Sequence, residues 1–205
     1  MIEVSKIPFR EDGCFHDNCR ALARLHRQGS PQDLLSRLGE GFLGNFFYPN
    51  LLRLSDTILS VAKNEDRWVG FLIATADSQK LLKKILARSP LAFLTRGLTA
   101  LLVRPRLWKM VWQAIHLKSP ESSPEGAEIV MVTVESSCRG MGFGRRLLDS
   151  LEVELRKRKI SFCLARVRVE NSSAMKMYLR SGFQEIGSVR FQHTLWKWMR
   201  HDTVF

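Results

Sequence analysis

Apolar and polar residues alternate from Ile2 to Ile7, which is the period of a strand. The period then lengthens. From about His16 to Arg27, Ala21, Leu22 and Leu25 fall at helical spacing, and Gly29-Ser30-Pro31 ends the run. A second helix is predicted from Gln32 into the region 42–54, on the stripe Leu34, Leu35, Leu38, Phe42 and Phe46. Gly39, Gly41 and Gly44 interrupt it. Thr57 to Ala62 and Trp68 to Ala76 read as strands, and the polar residues 63–67 between them read as a hairpin loop.

Residues 78–120 carry nine Lys or Arg and no Asp or Glu, interleaved with dense leucines. Pro90 and Pro105 divide them into short basic amphipathic helices, and a polar linker, 119–126, follows. From Ala127 the pattern sharpens. Ile129 to Val134 is a nearly all-apolar strand, as expected of one covered on both faces. Leu147, Leu148, Leu151 and Leu155 mark one face of a helix ending near Arg158. Ile160 to Val169 is a strand, Asn171 to Ser181 a helix stopped by Gly182, and Gln184 to Phe191 and His193 to Arg200 two final strands. The order β-α-α-β-β, insertion, β-α-β-α-β-β predicts an α/β domain.

The length of 205 residues suits a single domain, 1–205, and 45% hydrophobic with 25% charged residues is ordinary for a globular protein. The four cysteines, Cys14, Cys19, Cys138 and Cys163, form no CxxC pair and no metal spacing, so a reduced intracellular compartment is expected and no metal site. The opening residues lack the pattern of a secretory signal. The longest apolar run, Leu91 to Val103, carries Arg96 and falls short of the ~20 residues a membrane span needs. A cytoplasmic protein is expected. The net charge of +12 favours anionic partners: nucleic acid, a membrane surface or phosphorylated small molecules.

The chemistry concentrates after Val134. A strand ends, Arg139-Gly140-Met141-Gly142-Phe143-Gly144 turns the chain, and a helix begins at Arg145-Arg146. Glycines let a backbone approach a ligand closely. The first N–H groups of a helix have no partner within it, and the helix dipole adds positive charge there. Together these make a site for a phosphate-bearing ligand. A dinucleotide-binding unit asks for such a loop early in the chain and an acidic residue after the next strand. The loop comes late, yet Glu170 keeps that reading open.

Arg139-x-x-Gly142-x-Gly144 after an apolar strand resembles the acetyl-CoA motif of the GNAT N-acetyltransferase superfamily. A second block, Asn171-x-x-Ala174-x-x-x-Tyr178 followed by Ser181-Gly182-Phe183, resembles that family's fourth-helix signature. The resemblance implies a mixed central sheet with helices on both faces, residues 78–120 being a helical insertion between strands 3 and 4. It implies acetyl-CoA as cosubstrate, held by backbone N–H groups from Arg139 through Gly140, Met141, Gly142, Phe143 and Gly144 to Arg145. Val132 and Val134 would lie along the pantetheine arm, where the strands before the loop and before Asn171 are expected to splay apart. A backbone N–H near Val134 would stabilise the developing oxyanion as a free amine attacks the thioester. Asn171 and Ala174 would contact the cosubstrate, and Tyr178 would protonate the departing thiolate.

The family's base, where it is a Glu five residues before the Asn, is here Arg166, which cannot accept a proton. Glu128 is the first candidate base, with His193 behind it and a water relay equally open. Arg166 and Arg168 share strand parity, which suits an anionic acceptor such as a nucleotide-linked amino sugar. Residues 78–120, with Trp108 and Trp112 one helical turn apart, suit a lid on the acceptor pocket, a peripheral membrane contact or a dimer surface, so monomer and homodimer both remain open. Protein or peptide N-acetylation is the alternative substrate class. A basic module binding nucleic acid or a membrane surface is the alternative of a different kind, although no nucleic-acid motif is present.

Overall fold

The computed structural model describes residues 2–6, 14–31, 33–65, 67–76, 78–88, 126–191 and 194–205. The predicted helices of 89–120, with Trp108 and Trp112, the linker up to residue 125, and His193 lie outside the described residues.

Among the described residues, seven strands form one sheet in the order β1-β2-β3-β4-β5-β7-β6. They are β1 (Ile2–Lys6), β2 (Thr57–Asn64), β3 (Arg67–Thr75), β4 (Gly126–Val134), β5 (Phe162–Arg168), β6 (Gln184–Phe191) and β7 (Thr194–Asp202). Every neighbouring pair is antiparallel except β4 and β5, which run parallel. The β2–β3 hairpin is tighter than its polar stretch suggests. Lys63, Asn64 and Arg67 belong to the ladder, and Glu65 turns the chain with φ 56°. A polar residue on an exposed hairpin end satisfies its backbone in the ladder as well as an apolar one does, so hydropathy alone shortened both strands.

Helix α1 (Phe15–Gly29) matches its periodicity and buries Phe15, Cys19, Leu22, Ala23 and Leu25. The predicted second helix is instead broken into α2 (Leu34–Leu38), a short turn α3 (Glu40–Phe42), a π-helical turn (Leu43–Phe47) and α4 (Tyr48–Leu52). Gly39 takes φ 99°, which ends α2. Past the π turn, the Asn50 amide donates to the Phe46 carbonyl at 2.7 Å. These helices, with Leu81 and Ile85 of α5 (Ser78–Arg88), pack on Leu59, Val61, Phe71 and Ile73 of the sheet.

The opposite face is covered by α6 (Phe143–Lys157) and α7 (Ser172–Arg180). Phe143, Leu147, Leu148, Leu151 and Leu155 of α6 bury against Ile58, Leu72, Ile129, Cys163, Ala165 and Val167. The leucine spacing read in the sequence is the face that is buried here.

A buried polar network ties the first helices together. His26 is fully buried, its Nε2 2.7 Å from Asp33 Oδ2 and its Nδ1 2.6 Å from the Tyr48 hydroxyl. An ionised carboxylate only accepts, so Nε2 carries the proton and Nδ1 accepts from Tyr48. Asp33 uses its other oxygen to cap α2 through the Ser36 N–H at 2.7 Å. Burial first, then the charges of Asp33 and Cys19, push the Tyr48 phenol well above its usual range, which keeps it a donor. Tyr48→Phe therefore leaves a buried ring nitrogen without its donor. The expected loss is about 1–3 kcal/mol of unfolding free energy, read by urea titration. A change below about 0.5 kcal/mol, the size of an ordinary surface substitution, would show that the network does not matter to stability.

Candidate active site

β4 and β5 pair only at Gly126↔Phe162, Ala127↔Cys163 and Glu128↔Leu164. Both strands continue beyond those pairs, to Val134 and Arg168, without pairing to each other. They part as the two arms of a fork, as the sequence reading expected. Two features shape the β4 arm. Ile73 pairs with Met131 but Ala74 with Ile129, so Val130 is a bulged residue. Beyond the bulge, the Glu135 N–H donates to Val69 O at 2.7 Å. In an antiparallel ladder this makes Gly70↔Val134 and Leu72↔Val132 non-hydrogen-bonded pairs. The N–H groups of Val132 and Val134 therefore point away from β3, into the fork.

At the end of that arm lies the glycine turn. Gly140 and Gly142 take φ 81° and 84°, and a Cβ on either would meet nothing within 4 Å. The turn is thus left-handed and open, and α6 begins at Gly142 with no side-chain cap. Among the described residues, the N–H groups from Gly140 to Arg145 have no backbone or side-chain acceptor, and the next bond is Arg146 N–H to Gly142 O at 3.1 Å. Six outward donors at a helix N-terminus, with no side chain in the way, fit a pyrophosphate.

Arg139 departs from its expected place in this cradle. Its N–H closes a turn onto Ser136 O at 3.3 Å, and its Nε donates to Val134 O at 3.1 Å. It braces the turn against β4, and the run of free donors starts one residue later. Phe143 contributes backbone only, because its ring is buried in the core. Gly144 serves packing: a Cβ there would lie 2.5 Å from Met177 Sδ of α7. The Arg145 side chain bonds Arg180 O at 3.1 Å and Asp149 at 3.4 Å, joining α6 to α7. Met141 is exposed.

Asn171 caps α7, its Oδ1 accepting from Ala174 N–H at 3.1 Å, and its own side chain is solvent-exposed. Ala174 packs on the core beside it. Tyr178 is 2% exposed and sits edge-on to Phe183 at 5.0 Å. Among the described residues its hydroxyl has no hydrogen-bond partner. Burial, with a smaller contribution from the Cys163 thiol, pushes its phenol well above the ordinary range, so the site holds it protonated.

Glu128 is the last β4 residue paired with β5, at the apex of the fork. It faces away from α6, since its neighbours Ala127 and Ile129 belong to the α6 side. The carboxylate is buried, and Arg166 Nε lies 2.9 Å from its Oε1, an ion pair in which the N–H is not aligned on that oxygen. Two residues the sequence reading set apart, a candidate base and the arginine in the usual base position, are thus partners. Arg166 and Arg168 do share a face, each stacked on an indole: Arg166 over Trp198 at 5.2 Å and Arg168 over Trp196 at 5.0 Å. Sequence reasoning missed both tryptophans. Their i, i+2 spacing on β7, opposite two arginines at the same spacing, was the available signal.

The chain matches the Acetyltransferase (GNAT) family over residues 36–183. It belongs to the GNAT acetyltransferase family. An acetyl-CoA-dependent N-acetyltransferase is what that membership describes. Solved structures agree on the fold. The ribosomal-protein-S18-alanine N-acetyltransferase of Escherichia coli superposes with a TM-score of 0.62 at 14% identity, over 100% of this chain and 96% of that one. An N-acetyltransferase of Staphylococcus aureus Mu50 gives 0.65 at 12%, over 100% and 99%. An acetyltransferase of Salmonella typhimurium, solved with its cofactor acetyl-CoA, gives 0.62 at 12%, over 99% and 94%. No curated protein matches the sequence. Among the described residues no group of His, Cys, Asp and Glu is arranged to hold a metal ion, and no helix is long and apolar enough to cross a membrane.

Proposed function

We propose that this GNAT enzyme acetylates the amine of a small anionic molecule, such as a nucleotide-linked amino sugar. The observation that carries the reading is the two-sided fork. Donors without acceptors line the α6 end and the β4 arm, whereas guanidinium groups line the opposite face of β5. A basic peptide or a polyamine would meet repulsion from that face, which favours the small anionic acceptor over protein N-acetylation.

Acetyl-CoA supplies the acetyl group as an activated thioester. The N–H groups of Gly140 to Arg145 hold its pyrophosphate, the backbone of Val132 and Val134 pairs with the pantetheine arm, and the exposed Asn171 amide and Ala174 lie along it. The Val134 N–H, aimed into the fork, is placed to stabilise negative charge on the reacting oxygen. The amine attacks directly: a C–N bond forms, the C–S bond breaks, and Tyr178 gives its proton to sulfur. Neither Cys19 nor Cys163 is suited to act as a covalent carrier. Burial pushes the Cys19 thiol up to about 12 and the Cys163 thiol up further, away from the nucleophilic thiolate. The amine's proton leaves through Glu128 at the fork apex, directly or by way of water, with Arg166 holding the carboxylate in place.

The test is ligand-dependent stability. Acetyl-CoA at a hundred times its dissociation constant adds about 2.7 kcal/mol and raises the melting temperature by several degrees. Stabilisation by RNA or DNA and none by acetyl-CoA would overturn the enzyme reading in favour of a nucleic-acid module.

A further inference from the structure

The acceptor face of β5 and β7 carries three stacked pairs: Arg166 over Trp198, Arg168 over Trp196, and Arg200 over the ring of Phe162 at 4.3 Å. The three arginines are not equivalent. Arg166 has Glu128 at 2.9 Å, and Arg200 has Asp202 at 2.7 Å. Arg168 has no carboxylate or carbonyl accepting from its guanidinium among the described residues. Its partner in the stack is in the same position: the Trp196 Nε1–H is buried and, among the described residues, has no acceptor. A charged donor fork and a neutral donor therefore lie within one ring of each other, both unsatisfied, at the open end of β5. The backbone there is fixed on both sides, by Val169 N–H to Leu195 O at 3.1 Å and Asn171 N–H to Arg168 O at 3.0 Å.

We propose that Arg168 and the Trp196 indole N–H form an oxyanion subsite that reads a carboxylate or phosphate on the acceptor, and that Arg166 does not. This rests on the acetyl-CoA reading above and sharpens it. An oxyanion offers several lone pairs in one small group and can accept from both donors at once. A hydroxyl could accept from both donors but would leave the guanidinium charge unbalanced. Stacking on the indole holds the guanidinium plane in a fixed orientation, which suits a forked contact. Arg166 is already balanced by Glu128 and serves the carboxylate at the fork apex. The subsite lies across the sheet from α6, so it engages the acceptor and not the pyrophosphate.

The experiment measures CoA release with amines matched apart from charge: glucosamine, glucosamine 6-phosphate, glucosaminic acid and spermidine. Acetyl-CoA affinity is measured alongside by calorimetry. The wild type is expected to favour at least one anionic amine over glucosamine, with phosphate and carboxylate distinguished by the two anionic probes. Arg168→Gln is expected to lower kcat/KM for that probe about 10–100-fold, the range of a charge-assisted hydrogen bond, with kcat/KM for glucosamine and the affinity for acetyl-CoA within about twofold. Arg168→Lys recovers part of the loss, and Trp196→Phe, which keeps a ring under Arg168, loses severalfold on the anionic probe alone. Equal or better turnover of glucosamine or spermidine overturns the subsite, as does the absence of any saturable response to an anionic probe by a protein that binds acetyl-CoA. Weakened acetyl-CoA binding in Arg168→Gln overturns it too, by assigning the anion to the donor. Failure of the wild type to bind acetyl-CoA overturns the enzyme reading instead.

Discussion

Replacing Gly142 with valine is expected to weaken acetyl-CoA binding about tenfold while leaving the melting temperature of the free protein nearly unchanged. Two costs compete. A β-branched residue at φ 84° is strained by about 1–2 kcal/mol, and the turn relieves that strain by leaving the left-handed conformation. The relaxed turn no longer aims its N–H groups at one point, and a hydrogen bond to a charged group is worth about 1.5–3 kcal/mol. Binding either restores the strained turn or forgoes such bonds, so the smaller cost, about 1–2 kcal/mol, sets the loss at about 5–30-fold. The free protein loses little, because nothing within 4 Å would touch the new Cβ and these N–H groups have no internal partners to lose. Calorimetric titration with acetyl-CoA reads the effect. A dissociation constant within threefold of wild type would mean that the cradle at α6 does not hold the pyrophosphate. Gly144→Ala separates shape from donation: its Cβ meets the flexible end of Met177, so it disturbs the α6–α7 packing and leaves the turn conformation alone.

The donor half of the site was legible because its chemistry is local. A glycine at a positive φ, a helix N-terminus and the cap of the next helix are each written in a few consecutive residues, and the strand and helix order from Gly126 onward follows from periodicity. What sequence reasoning could not reach is set by partners distant in the chain. Glu128 and Arg166 are thirty-eight positions apart and meet only because β4 and β5 are parallel neighbours that diverge just beyond their third pair. Asp33 and Tyr48 find His26 through the packing of three short helices, and no spacing in the sequence announces that network. The predicted second helix failed for a local reason. Its apolar stripe was real, but Gly39 takes φ 99° and ends α2, and the chain then winds again through the π-helical turn. Arg139 shows the converse limit: a motif residue sits in its motif, yet its bonds brace the turn and do not extend the cradle.

Tyr178→Phe is expected to lower kcat about 10–100-fold with little change in acetyl-CoA affinity and no loss of stability. The rate term is modest for a general acid because a thiol of pKa about 8.5 is already a fair leaving group, which places the effect at the low end of the usual ~10²–10⁴-fold or below it. The stability term follows from the hydroxyl's surroundings. Among the described residues it has no hydrogen-bond partner, so phenylalanine breaks no bond, and it preserves the edge-on contact with Phe183 at 5.0 Å. Catalysis therefore falls while stability holds, which a residue serving only the core would not show. The pH dependence carries a sign. Burial raises the Tyr178 phenol above its ordinary value near 10, so the group stays protonated as pH rises through that value. The corresponding share of stability is fully present below pH 10 and is lost only as pH climbs through the higher folded-state value. The wild-type kcat should accordingly show no decline from Tyr178 up to about pH 10, and the variant should lie below it by a constant factor across the neutral and mildly alkaline range. Full kcat in Tyr178→Phe would remove the phenol from the reaction and leave the departing sulfur to take its proton from water.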